Sequence, residues 1–277
     1  MVTDPLSKRH VVIAGHRQAR PNLPPSGGCP FCVGGLEAPS PYSVRTFVNR
    51  WPPLADGRAE VVLYTPDHNA SFGSLDRDHA ERVVDEWAAR TTALGERDDV
   101  GYVLVFENRG AAVGATIDHP HGQIYAFAEV PDAPARELDG PCALCDDDVG
   151  DRLVTAVGEW RAYVPAAPEW PYELRLAPSD HAGSLATTHR GALAAVLVDA
   201  LARLDRLFAP DPMPYMLWIH QRPTDGGAWP TAHVHVHIAP LLRSPGTPRF
   251  VAAGELGSGV YFNPVAPEDA AAQLRAV

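Results

Sequence analysis

The chain has 277 residues, 45% of them hydrophobic, with 23 basic against 34 acidic side chains and a net charge of −11. That balance argues against duplex nucleic acid and anionic membrane as partners, the apolar content against a disordered chain, and the lack of any apolar run near ~18 residues against a membrane span. The opening MVTDPLSKRH carries no apolar signal-peptide core, so a cytoplasmic protein is expected.

In chain order the first signal is the pair Cys29-Pro-Phe-Cys32. Residues 58–65 are rich in β-formers and predict a strand. Ala80, Val83, Val84, Trp87 and Leu94 then fall on one face of a helix. A strand follows at 102–108, and a loop of small residues with no clear period at 110–118. A histidine-bearing strand follows at 121–127, and a proline-bearing connection at 132–141. The same order then recurs: Cys142-Ala-Leu-Cys145, a strand at 172–177, and a helix with Leu193, Val196, Leu197, Leu201, Leu204 and Phe208 on one face. Strands at 215–221 and 233–240 complete it.

The recurrence has a fixed offset. The cysteine pairs (29 to 142), Asp67-His68 and Asp180-His181, and the strands opening at Tyr102 and Tyr215 all repeat at one spacing. His119-Pro-His121 and His233-Val-His235 need one inserted residue. Four anchors in one order indicate a duplication, with halves at 1–138 and 139–277. The expected fold is α+β: two tandem units, each an antiparallel sheet with one long helix, joined into one extended sheet.

Cys-x-x-Cys offers two thiolates suited to two corners of a tetrahedral zinc site. The repeat supplies His68 and His119 to the first pair, and His181 and His233 to the second. Each closed four-ligand set predicts a structural zinc, two per chain. A redox pair should open a helix inside a βαβ pattern, whereas Cys29 follows Pro24-Pro25-Ser-Gly-Gly.

On a strand His119, His121 and Gln123 share a face. If His119 binds zinc, His121 is held rigidly beside it, where a neutral imidazole can attack phosphorus. Gln123 can donate an amide N–H to a phosphoryl oxygen as charge grows there. Gly110, Ala111, Ala112, Gly114 and Ala115 leave room for backbone N–H groups to approach a phosphate. His-x-His alone would equally suit a metal pair or surface histidines; the whole string is more specific.

The string Phe106-Glu-Asn-Arg-Gly-Ala-Ala112, His119-Pro-His-Gly-Gln123, the Cys29–Cys32 knuckle, Thr65-Pro-Asp-His68 and the tail Gly254-Glu-Leu-Gly-Ser-Gly-Val-Tyr-Phe-Asn-Pro264 together resemble the galactose-1-phosphate uridylyltransferase family, the tandem-domain branch of the histidine triad superfamily. The resemblance covers almost the whole chain. It implies ping-pong transfer of UMP from UDP-glucose to galactose 1-phosphate through a uridylyl-histidine on His121, with Gln123 stabilising the transferring group. It places Arg17, Arg20, Asn49, Asn108, Gly114 and Thr116 at nucleotide- and phosphate-contacting positions, and Arg249 and Glu255 near the sugar phosphate. It also implies a homodimer.

Two departures matter. Arg50-Trp51 follow Asn49 where relatives often carry an acidic residue, and the loop before the histidines reads Ala115-Thr116-Ile117-Asp118. Some relatives hold the second metal, iron or zinc, on a glutamate and three histidines. The matching positions are Glu137, His220, His235 and His237. The presence of Cys142 and Cys145 favours the cysteine set. His235 is the competing nucleophile, but its half lacks both the small-residue loop and the glutamine. The competing functions are an ADP-glucose phosphorylase, a nucleotide-sugar hydrolase and a zinc-stabilised binding module.

Overall fold

The structure, a computed structural model, describes residues 1–19 and 28–277. Among these, one antiparallel sheet of nine strands carries the fold. Its strands are β1 (Arg45–Val48), β2 (Ala59–Leu63), β3 (Tyr102–Arg109), β4 (His121–Phe127), β5 (Leu153–Val157), β6 (Trp160–Tyr163), β7 (Leu174–Pro178), β8 (Tyr215–His220) and β9 (His235–Pro240). Two long helices, α1 (Arg77–Gly95) and α2 (Arg190–Leu207), pack against each other and against the sheet.

The spatial order is β1-β2-β4-β3-β8-β9-β7-β6-β5. The triplets β2-β4-β3 and β7-β9-β8 mirror each other, as the duplication requires. They meet where β3 pairs with β8, from Arg109 opposite Tyr215 to Val105 opposite Ile219. The two units thus share one extended sheet, as expected from the sequence.

Each helix begins at a side-chain cap. Asp76 accepts from the His79 N–H at 2.8 Å, and His189 from the Ala192 N–H at 3.1 Å. The periodic faces are buried: Ala80, Val83, Val84, Trp87 and Leu94 on α1, and Leu193, Val196, Leu197, Leu201 and Leu204 on α2. They join the inward residues of the sheet in one apolar cluster drawn from both halves. On β4 burial alternates. Gly122, Ile124 and Ala126 face this core, while His121, Gln123, Tyr125 and Phe127 lie half-buried on the other face.

Some elements go beyond the sequence reading. The strands β1, β5 and β6 are four or five residues each. A helical turn at Asp132–Glu137 lies within the predicted connection, and another at Ala143–Asp146 carries the second cysteine pair. The strand β9 starts at His235 rather than 233, because His233 turns toward the cysteines.

Candidate active site and metal centres

The string around His121 is fixed by its neighbours. The His121 Nδ1 lies 2.8 Å from the carbonyl oxygen of His119. A carbonyl only accepts, so Nδ1 carries the proton and Nε2 keeps its lone pair. The edge of the His121 ring meets Phe31 at 5.1 Å between centroids. His119 is buried and its Nε2 donates to the Thr65 carbonyl at 2.8 Å, with the Tyr42 hydroxyl at 2.9 Å. Its Nδ1 therefore faces the cysteines. Gly122 is required by close approach: a Cβ there would collide with the Tyr64 hydroxyl beneath it.

Gln123 Oε1 accepts from Asn49 Nδ2 at 3.3 Å and from the Tyr125 hydroxyl at 3.4 Å. This leaves Nε2 as the donating end of the amide. Asn49 Oδ1 in turn accepts from the Trp51 N–H at 2.9 Å. The structure thus brings Asn49, just past the end of β1, to Gln123 of β4 across the intervening β2.

A cavity of about 300 Å³ opens where β3 ends and β4 begins. His68, Asn108, Gly110, Ala115, His119 and His121 are among the residues lining it. Gly110 (φ +92°) and Gly114 (φ +88°) bracket a single turn of 3₁₀ helix, both in conformations that favour glycine. Thr116 follows in the same loop, half-buried. Of the other expected contacts, Arg20 lies outside the described residues. Arg17 sits in the turn Gly15–Ala19 and does not line this cavity. Neither do Arg249 and Glu255, which form a buried ion pair at 2.6 Å, with the guanidinium over the Trp170 ring.

Residues that spacing did not single out surround the loop. Glu107 is buried, and its Oε1 accepts from the Tyr215 hydroxyl at 2.9 Å. Burial pushes its carboxyl up to about 7, against the pull of Tyr215, Arg109 and Tyr64. Arg109 Nη1 donates to both oxygens of Asp205, at 2.7 and 2.8 Å.

Among the described residues three sets of side chains could each hold a cation, the donor atoms of each set lying within 4.8 Å of one another. The first is Cys29, Cys32, His68 and His119; the Cys32 sulfur is 3.5 Å from His68 Nδ1 and 3.6 Å from His119 Nδ1. The second is Cys142, Cys145, His181 and His233, with sulfur-to-Nδ1 distances of 3.2 to 3.6 Å. A tetrahedron with Zn–S of ~2.3 Å and Zn–N of ~2.0 Å has edges of about 3.5 Å. The supporting bonds repeat too. The Nε2 of His233 donates to the Pro178 carbonyl at 3.1 Å, as that of His119 does to Thr65. Burial, with His181 beside it, brings His233 down to about 4, the neutral form a ligand needs. Burial and the partner thiol push Cys32 and Cys145 up, a cost that a cation would offset.

The third set is Glu137, His220, His235 and His237. Glu137 lies 2.6 Å from His220 Nδ1, 3.3 Å from His235 Nε2 and 3.6 Å from His237 Nε2. Burial would raise this carboxyl, but the histidine hydrogen bonds prevail and hold it well below the usual range. The histidine-rich and cysteine sets, weighed above as alternatives for one metal, are both assembled. His235 repeats the geometry of His121, its Nδ1 being 2.7 Å from the His233 carbonyl. Its Nε2, however, faces Glu137 instead of a cavity lined by a small-residue loop.

Comparison with known proteins agrees with this geometry. Residues 52–131 match the family model described as galactose-1-phosphate uridyl transferase, N-terminal domain, and residues 145–277 the corresponding C-terminal domain. A galactose-1-phosphate uridylyltransferase of Thermotoga maritima is 33% identical, covering 98% of this chain and 96% of its own. An ADP-glucose phosphorylase of Arabidopsis thaliana is 25% identical, covering 99% and 92%. A solved uridylyltransferase structure superposes with a TM-score of 0.89 at 26% identity, covering 99% of this chain and 96% of that one. The chain belongs to the galactose-1-phosphate uridylyltransferase family, which is a family of nucleotidyltransferases.

Proposed function

We propose that this chain moves UMP from UDP-glucose to galactose 1-phosphate in two displacements, with His121 as the covalent carrier. The observation that carries this reading is the bond from His121 Nδ1–H to the His119 carbonyl at 2.8 Å, which leaves Nε2 as the nucleophilic nitrogen beside the cavity. In the first displacement Nε2 forms a bond to the α-phosphorus while the bond to the β-phosphate oxygen breaks, releasing glucose 1-phosphate. In the second, a phosphate oxygen of galactose 1-phosphate attacks the same phosphorus and the N–P bond breaks. Both leaving groups depart without a protein acid: one is a phosphate, the other an imidazole returning to its neutral form. Gln123 Nε2 donates to the phosphoryl oxygens, and Asn108 with the Gly110–Thr116 backbone cradles the rest of the diphosphate. Arg17, Arg20 and Asn49 hold the nucleotide.

The two Cys₂His₂ sets take zinc, and Glu137 with its three histidines takes a further cation, iron or zinc. Each has a full set of ligands, so these ions stiffen the fold. The halves 1–138 and 139–277 are the duplicated units. The enzyme works as a homodimer: Phe250, Tyr261 and Phe262 are exposed around the Arg249–Glu255 pair, and a second copy would bring that segment to the sugar phosphate. No helix among the described residues is long and apolar enough to cross a membrane. The four cysteines form no disulfide, which suits the reducing cytoplasm.

The test is a covalent adduct. Incubation with UDP-glucose and no acceptor should leave a uridylyl mass on the peptide holding His121, and His121→Ala, folded and metallated, should carry none. An adduct that survives in that variant refutes the assignment. An adenylyl adduct formed only from ADP-glucose would instead support a phosphorylase, and full release of UMP a hydrolase.

A further inference from the structure

The strand β3 ends in Glu107-Asn108-Arg109, and its alternation divides these three residues. Asn108 lies on the face of His121 and Gln123. Glu107 and Arg109 turn the other way, and both are held by the second half of the chain. Glu107 receives the Tyr215 hydroxyl at 2.9 Å. Arg109 Nη1 is bonded to both oxygens of Asp205, and its guanidinium lies over the Tyr215 ring at 5.6 Å. Asp205 is fixed in its turn, because Oδ1 also accepts from the Met213 N–H at 3.0 Å. The next residue, Gly110, approaches Pro214 so closely that a Cβ would lie 3.2 Å from it. The start of the small-residue loop is thus gripped from behind by two polar contacts and one steric contact, all from residues 205–215.

We infer that Asp205 and Tyr215 are positioning residues for nucleotidyl transfer: through Arg109 and Glu107 they set where Asn108 and the Gly110–Thr116 backbone meet the diphosphate. This rests on reading His121 as the nucleophile and the loop as its phosphate cradle. Arg109 also lines the same cavity, and the ion pair with Asp205 fixes where its charge sits. Polar pairs contribute little net stability over apolar ones of similar size, but they fix geometry, and a displacement of ~1 Å costs about a hundredfold in rate.

The test is single-turnover formation of the uridylyl adduct by the full-length metallated chain with UDP-glucose, followed by mass. Asp205→Asn keeps an oxygen for the Met213 N–H and loses the carboxylate that holds Arg109. Tyr215→Phe keeps the ring and loses the hydroxyl. Each should form the adduct about ten- to a hundredfold more slowly at saturating UDP-glucose. The half-saturating concentration should move less than the rate, with metal content at the wild-type level; loss of one partner from each pair lowers the melting temperature, so the rates are read well below it. Arg109→Ala/Asp205→Asn should be no slower than Arg109→Ala alone, since the two act as one unit. Rates within twofold of wild type in both Asp205→Asn and Tyr215→Phe overturn the inference. So does a double variant whose defect is the product of the two single defects. If Asp205→Asn fails to fold, Tyr215→Phe decides on the same criterion. A wild-type chain that forms no adduct removes the His121 reading and this role with it; a wild-type adduct with unchanged variants removes this role alone.

Discussion

A carboxyl buried on the core face of β3 makes a pH-dependent contribution to stability. Glu107 titrates at about 7 in the folded chain against an ordinary 4.5. Between these values the folded state holds a proton that the unfolded state has lost, so stability falls as pH rises through this window and levels off above about 7. The full span is worth on the order of 3 kcal/mol. Glu107→Gln keeps the shape without the proton and should lack that slope. Urea midpoints of both proteins from pH 5.5 to 8 check it: the variant should gain on the wild type as pH rises, and parallel curves contradict the argument. Gly122 offers a steric counterpart. A methyl group there meets the hydroxyl of Tyr64, which is fully buried and cannot yield. Gly122→Ala should cost about 1–3 kcal/mol, and Tyr64→Phe in the same chain should restore part of it in thermal melts.

At the scale of elements, the cysteine knuckles depend on their ligands. Around the first, a small cluster of Phe31, Ala38, Val61 and Leu63 is the buried apolar support. Cys29→Ser should therefore bind about one metal fewer and melt lower before it loses adduct formation, as elemental analysis and thermal melts would read. Activity lost at an unchanged melting temperature contradicts a structural role. These knuckles were plain in the sequence because ligand chemistry repeats at one spacing: Cys29 with His119, Cys142 with His233. The two long helices and the strand at 121–127 were equally plain, since each writes its period over several turns or alternations. The edge strands β1, β5 and β6 were not, because four or five residues carry too little pattern and their pairing is set by neighbours. The candidate site was legible where its pattern is local, in the string that holds His119, His121 and Gln123. The contacts beneath it, Glu107 with Tyr215 and Arg109 with Asp205, were hidden because they depend on pairing across the halves.

At the scale of the molecule, a unit of sequence need not be a unit of folding. Separating 1–138 from 139–277 would bare the facing edges of β3 and β8 along five paired residues and split an apolar cluster to which α1 and α2 both contribute. It would also strand Glu107, a buried carboxyl, without the Tyr215 hydroxyl, and Arg109 without Asp205. An open strand edge beside an exposed apolar face leads to aggregation, not to a stable half. Glu137 tightens the link further. It belongs to the first half by the repeat, yet its carboxylate meets the histidines of the second, so a cation there would staple the halves together. The full chain should therefore unfold in one urea transition, with circular dichroism and tryptophan fluorescence coinciding. Residues 1–138 expressed alone should show no cooperative transition, and co-expression of both pieces should recover a soluble complex. Two separated transitions in the full chain, or a cooperative isolated half, would mean that β3 and β8 pair domains already stable by themselves. In that case Asp205 and Tyr215 would act across a docking surface and not within a single core.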